Sequence, residues 1–254
     1  MQLPRFQKTR QHLSRLAQSA VFPLTYRYGG FTIREPSTKT VRAAGYSSQI
    51  GQDLLLDRHI FAGKRDGVFV DVGAHDGVTF SNSAFFERER GWTGLCIEPN
   101  PFVFERLVKA RALCANVAVG PTPGTFQFRR IEGYGEMLSG LESAYGDRDR
   151  RRIARDVEAH GGSWELIDVP TQRLDTLLRE SSLDSIDLLS IDVEGGELGV
   201  LASINLQEFN VGAVVLENNF RSWRTALALR QQGYHMLIRL GWDEVYLPAT
   251  TTLI

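Results

Sequence analysis

The chain has 254 residues, 43% of them apolar, enough to fill the core of one large or two small domains. A formal net charge of −1 speaks against a general nucleic-acid binder, and two cysteines, Cys96 and Cys114, are too few for a disulfide framework or a zinc cluster. No apolar run approaches the roughly 20 residues of a membrane span, so a cytoplasmic enzyme without a nucleic-acid partner is the expectation.

In chain order, residues 1–45 read as a basic leader. Phe6, Leu13, Leu16, Ala17, Ala20 and Val21 keep a helical spacing, with Arg5, Lys8, Arg10 and Arg15 nearby. Such an arm packs within the protein or builds a homodimer. The competing expectation is peripheral attachment to an anionic membrane surface. Pro36 and the Ser-Thr-Lys-Thr run at 37–40 read as a linker.

From residue 46 to 254 strand and helix patterns alternate, which predicts one α/β domain with a mostly parallel sheet. Strands are expected at 68–72, 93–98, 113–119, 186–192, 211–217, 234–240 and 243–248. Only Gly241 and Trp242 separate the last two, so these form an antiparallel hairpin. Asn100 before Pro101 is a predicted N-cap, followed by Phe104, Leu107 and Val108 on one face. Thr171 likewise precedes Leu174, Leu177 and Leu178, and His235 in its strand reads as a core residue. The long connection at 131–165 is expected to be a lid or acceptor platform. Its centre, 147–158, reads as a solvated helix face. Seven strands ending in an antiparallel hairpin depart from an ordinary dinucleotide fold and suit a Rossmann-like class I methyltransferase.

The first strand runs into FVDVGAHDG at 69–77. Asp71 lies near the strand's carboxyl end, and Gly73 and Gly77 follow where the backbone must turn or approach a ligand. Open α/β sheets bind small molecules at that edge. Glu98 closes the second strand, where a carboxylate accepts the hydroxyls of a ribose. Those features fit a nicotinamide dinucleotide and S-adenosylmethionine alike. The turn separates them: a pyrophosphate wants G-x-G-x-x-G, whereas here Asp76 stands where the phosphates would lie. A carboxylate repels phosphate and tolerates a sulfonium or an ammonium, so S-adenosylmethionine is favoured.

The motifs CIEPNP (96–101), NVAVG (116–120), LSGL (138–141), QRLDTLL (172–178) and SIDVEGGELGVL (190–201) occur in that order. Together with YSSQIGQDLLLD (46–57), they make residues 46–247 resemble the FkbM-type methyltransferase family. The resemblance implies an S-adenosylmethionine-dependent O-methyltransferase acting on a sugar, glycan or glycosylated metabolite. It places Gln49 and Asp53 over the cofactor, and Asp71, Gly73, Ala74, His75 and Asp76 in the cofactor turn. Glu98 and Pro99 go to the ribose and Asn116 and Ala118 to the loop near adenine. Asp192 and Glu194 go to the reaction end.

A sugar hydroxyl needs a proton acceptor or a metal to become a nucleophile. Asp192, Glu217 and Asn218 end neighbouring strands and offer hard oxygen ligands suited to Mg2+ or Mn2+. Asp192 is the expected base or ligand, with Glu194 and His75 as further catalytic candidates. The competing reading makes Glu194 a cap for the helix that follows. Outside catalysis, the alternative is a methyltransferase fold kept as a binding module, or a non-sugar acceptor.

Overall fold

The computed structural model of the chain describes residues 23–28, 31–37 and 42–251. The helical spacing expected at 6–21 lies outside them. Strands β1 (Pro23–Tyr28) and β2 (Phe31–Ser37) pair as an antiparallel hairpin. That corrects the linker expected at Pro36, which lies within β2.

The domain is built on a seven-stranded sheet. Its strands are β3 (Val68–Val72), β4 (Thr93–Ile97), β5 (Leu113–Ala115), β10 (Leu188–Ile191), β11 (Ala213–Glu217), β12 (Tyr234–Leu240) and β13 (Asp243–Pro248). Their order is β12-β13-β11-β10-β3-β4-β5, with β13 the antiparallel member between β12 and β11. This is the class I methyltransferase arrangement expected from the hairpin.

Strand residues are apolar on both faces because both faces are covered. Val70, Val72, Leu189, Ile191, Val214 and Leu216 enter one core. Phe69, Leu188, Ala213 and Val215 enter the other, with Phe85, Phe86 and Trp92. Each large side chain so buried contributes about 1.5–3 kcal/mol.

Helices α1 (Gln52–Leu55), α2 (Ala84–Arg90), α3 (Pro101–Ala110), α4 (Asp147–His160), α5 (Leu174–Glu180), α6 (Glu197–Leu201) and α7 (Trp223–Gln231) fill the crossovers. α3 starts as expected: Pro101 presets the first turn, and Asn100 accepts a hydrogen bond from the Phe102 amide. Its buried face is Val103 and Leu107, whereas Val108 is exposed. Among the described residues no helix is long and apolar enough to cross a membrane.

Four expectations change. The predicted strand 113–119 divides at Asn116, because β5 stays in the main sheet while β6 (Ala118–Val119) joins a second sheet. That sheet, ordered β6-β9-β7-β8, adds β7 (Gly124–Glu132), β8 (Gly140–Leu141) and β9 (Ser163–Gln172). The connection at 131–165 therefore begins and ends inside strands, with α4 between them, and Thr171 belongs to β9 rather than to a helix cap. Finally, His235 is exposed, since its position on edge strand β12 faces away from the core.

Candidate active site

The parallel strands point their carboxyl ends at one cavity of about 1170 Å³. The chain leaves β3 for β4 and β5 on one side, then returns to β10 on the other, so the strand order reverses between β3 and β10. Such a reversal opens a crevice for a ligand. Asp71, Gly73, Ala74, His75, Glu98, Pro99, Ala118, Asp192 and Glu194 all line it, as the sequence led us to expect.

The turn after β3 is tight for a steric reason. Gly73 has φ +84°, and its amide and that of Ala74 both donate to the Ile97 carbonyl. His75, at φ +50°, adopts a left-handed conformation that costs a non-glycine residue free energy. It is fixed there by its amide, which donates to Glu98 Oε2 at 3.0 Å. The other oxygen of Glu98 accepts from the Asn100 amide at 2.8 Å. Burial pushes the Glu98 carboxyl up to about 7, although these two amides and the nearby imidazole favour its charge. Each oxygen keeps a lone pair for a further hydrogen-bond donor.

His75 Nε2 lies 3.0 Å from Glu136 Oε1. Burial alone would lower the imidazole, but Asp76 and Glu136 outweigh it and raise the net value. Glu136 also pairs with Arg106 of α3, which fastens the 136–138 turn across the cavity.

At the opposite wall, Asp192, Glu194 and Glu217 bring carboxylate oxygens within 4.8 Å of one another. Glu194, at φ +51°, turns into the cavity and meets Arg152 Nη1 at 3.2 Å. It is therefore no helix cap; the cap position of α6 is Gly196, and Glu197 in the first turn accepts from the Gly195 amide. Asp192 is open to water in the cavity yet crowded by protein. Burial raises its pKa and Asp71 adds to that, against an offsetting hydrogen bond from Glu217. Glu217 is raised strongly by burial and by Asp192, Glu194 and Asp243, which favours its protonated form.

Four sequence assignments do not reach the cavity. Asp53 is fully buried and holds its own loop, accepting from the amides of Ser47 and Ser48 and from the Ser48 hydroxyl. Its neighbours Gln49 and Gln52 line the cavity instead, the former as expected. Asp76 caps its own turn, accepting from the Val78 and Thr79 amides, and does not occupy a phosphate position. Asn116 donates to the carbonyls of Glu98 and Pro99, bracing the turn after β4 from behind. Asn218 is excluded as a metal ligand: its Oδ1 accepts from the Ser222 amide, and its Nδ2 donates to Ser222, Thr225 and Glu244. Glu194 takes the third position in the acidic group.

Sequence reasoning missed Asn82, Arg152, Phe220 and Asp243, which reach the cavity from loops, α4 and the final hairpin. No sequence motif marks them, because their proximity depends on the crossovers. Among the described residues, Asn82 Oδ1 is buried without a hydrogen-bond partner, while His75 Nδ1 lies 3.7 Å from Asp76 Oδ1. An unpartnered acceptor in a cavity this acidic suits a ligand with donor groups and positive charge. S-Adenosylmethionine has both, in its ammonium and its sulfonium, so the residues fit that cofactor. The acidic trio likewise fits a divalent ion, being a set of hard oxygens with unbalanced charge.

The chain is similar to several known proteins. Residues 71–236, more than half of the chain, match the Methyltransferase FkbM domain. The 2-O-methyltransferase NoeI of Sinorhizobium fredii is 29% identical over 151 residues, covering 55% of this chain and 58% of that protein. The chain thus spans well under two thirds of that relative. Among solved structures, an FkbM methyltransferase from Methylobacillus flagellatus superposes with TM-score 0.46 at 14% identity, over 72% of this chain and 43% of that one. Aeropyrum pernix fibrillarin with bound S-adenosyl-L-methionine gives TM-score 0.42 at 16% identity, over 92% and 85%. By its matching domain and the motifs that line its cavity, this chain belongs to the FkbM family of S-adenosylmethionine-dependent methyltransferases.

Proposed function

We propose that this enzyme methylates a hydroxyl group of a sugar, glycan or glycosylated metabolite. The observation that carries the reading is the meeting of Asp192, Glu194 and Glu217 on the wall facing the cofactor turn. The name of the relative NoeI, a 2-O-methyltransferase, supports oxygen as the methylated atom.

S-Adenosylmethionine supplies a methyl group already activated on a sulfonium. What the chain must add is position and a proton acceptor. Glu98, held by two amides, receives the ribose hydroxyls. Gly73 lets the turn after β3 pass against the Asp192 carbonyl, where a β-carbon would sit 1.7 Å away. As the acceptor oxygen forms its bond to carbon, its proton passes to the Asp192 carboxylate. A raised pKa suits Asp192 to hold that proton. Glu217, already protonated, donates to Asp192 and keeps it oriented. With a divalent ion present, Asp192, Glu194 and Glu217 would be its ligands, and it would lower the acceptor hydroxyl's pKa.

The test is incubation with labelled cofactor and a panel of glycans and glycosides, followed by mass spectrometry of the products. Label on a sugar oxygen is expected. Asp192→Asn should reduce turnover by about 100- to 1,000-fold, with S-adenosylhomocysteine affinity within roughly twofold of wild type. Label appearing only on nitrogen or carbon would refute the reading.

A further inference from the structure

We infer that helix α4 forms an anion subsite beside the active cavity that holds the phosphate or diphosphate group of the acceptor. This rests on the reading of the acceptor as a sugar and narrows it to a sugar carrying phosphate.

A separate groove of about 690 Å³ lies along α4 and is lined by Arg148, Arg151, Arg152, Arg155, Glu158 and Phe220. The spacing of the four arginines, i, i+3, i+4 and i+7, puts them on one helix face. By the helical rise the stripe is about 10 Å long. Like charges three and four residues apart repel along a helix. Here the repulsion goes largely unrelieved. The guanidinium groups of Arg148 and Arg151 make no hydrogen bond or ion pair with the described residues. Arg155 Nε donates only to the Arg151 carbonyl. Glu158 is the single carboxylate lining the groove. Such a row of open guanidinium forks matches phosphate oxygens in both charge and geometry.

The groove also joins the site of chemistry. Arg152 and Phe220 line both the groove and the cavity, and Arg152 meets Glu194 at 3.2 Å. A phosphate on the stripe would place a sugar attached to it beside Phe220, whose half-exposed ring offers an apolar platform. The next group inward is the acidic trio. The cavity itself is acidic and repels phosphate, so the two charges of the site divide the work: cationic cofactor inside, anionic acceptor outside. Nucleoside diphosphate sugars and polyprenyl diphosphate sugars share this chemistry.

The experiment is calorimetry on the full chain saturated with S-adenosylhomocysteine, using inorganic pyrophosphate, uridine diphosphate glucose, a polyprenyl diphosphate sugar in detergent, and neutral cellobiose. The comparison protein is the triple variant Arg148→Ala/Arg151→Ala/Arg155→Ala, which leaves Arg152 and its contact with Glu194 in place. Pyrophosphate should bind the wild type, and the variant should lose about tenfold or more in affinity. Unchanged S-adenosylhomocysteine binding would show that the variant is folded. The stronger of the two diphosphate sugars identifies the acceptor's source, soluble or lipid-linked. Equal pyrophosphate binding by both proteins, or binding of cellobiose alone, would overturn the subsite. So would a duplex DNA that binds tightly through these arginines while both diphosphate sugars fail. Pyrophosphate binding lost in the variant, with no methyl group found on any sugar oxygen, would instead keep the subsite and refute the sugar acceptor.

Discussion

Gly73 passes so close to Asp192 that a β-carbon on it would sit 1.7 Å from the Asp192 carbonyl oxygen. The two residues end neighbouring parallel strands, β3 and β10, where the strand order reverses. Backbone contact there sets the distance between the cofactor turn and the acidic wall. Gly73→Ala adds both a clash with main chain, which cannot rotate away, and the strain of φ +84°. It should destabilise the protein by at least about 2 kcal/mol in thermal or chemical denaturation. S-Adenosylhomocysteine binding should be lost before the fold is. A variant with wild-type stability would mean that β3 and β10 can separate freely.

Glu98 links stability and binding to pH. Its folded-state pKa of about 7 exceeds the ordinary value of 4.5, so the folded protein holds the extra proton between them. The corresponding stability is fully present below pH 4.5 and is lost as the pH rises through 7. Asp243, also pushed up to about 7 by burial, acts in the same direction. Ribose hydroxyls donate to the ionised form, so cofactor binding should release protons. Affinity for S-adenosylhomocysteine should rise between about pH 6 and 8. In Glu98→Gln the rise should flatten and binding should weaken by roughly 2 kcal/mol. Calorimetry in buffers of different ionisation enthalpy measures the proton release directly.

For Glu217 the strongly raised pKa makes glutamine a close mimic of its protonated form. In EDTA, Glu217→Gln should melt close to the wild-type temperature, because the protonated glutamate and the glutamine are both neutral. Mg2+ or Mn2+ should raise the melting temperature of the wild type and leave the variant unmoved. A variant that still gains stability from the ions would place the metal elsewhere.

The Glu136 carboxylate fastens the 136–138 turn to His75 and Arg106, across the mouth of the cavity. Glu136→Ala should let the turn open, with faster amide hydrogen exchange at 133–141. S-Adenosylhomocysteine should dissociate roughly tenfold faster, as expected for loss of about 1.4 kcal/mol. Without Glu136, burial regains weight over the remaining acidic neighbours of His75. Its imidazole should then titrate at lower pH than in the wild type, which a histidine titration by NMR can follow. An unchanged titration would mean that Asp76 alone sets the histidine's charge.

Much of the main sheet was legible in the chain. Phe69, Val70 and Val72 had to be buried on both faces, and the two residues between β12 and β13 allowed only an antiparallel hairpin. The tight turn after β3 was legible for the same reason, since Gly73, His75 and Glu98 lie within local motifs whose backbone geometry is short-range. Strands β7 and β9 were not, because one face of each is exposed and the apolar pattern is diluted; Phe126, Trp164 and Leu166 all lie toward solvent.

The acceptor side depended on tertiary structure. Asn218 looks like a ligand beside Glu217, but a strand alternates its faces, and Asn218 turns inward to Ser222, Thr225 and Glu244. Asp53 turns inward likewise, into a ring of serine donors. Conversely, Arg152 reads in the sequence as one charge in a solvated helix, and only the return of β9 along β7 sets α4 where that side chain meets Glu194. Periodicity and turn chemistry act over a few residues, so the sequence by itself determined the main sheet and the glycine turn after β3. Which carboxylates face one another, and which arginines stand beside them, was decided by the crossovers that bring distant segments to one rim of the sheet.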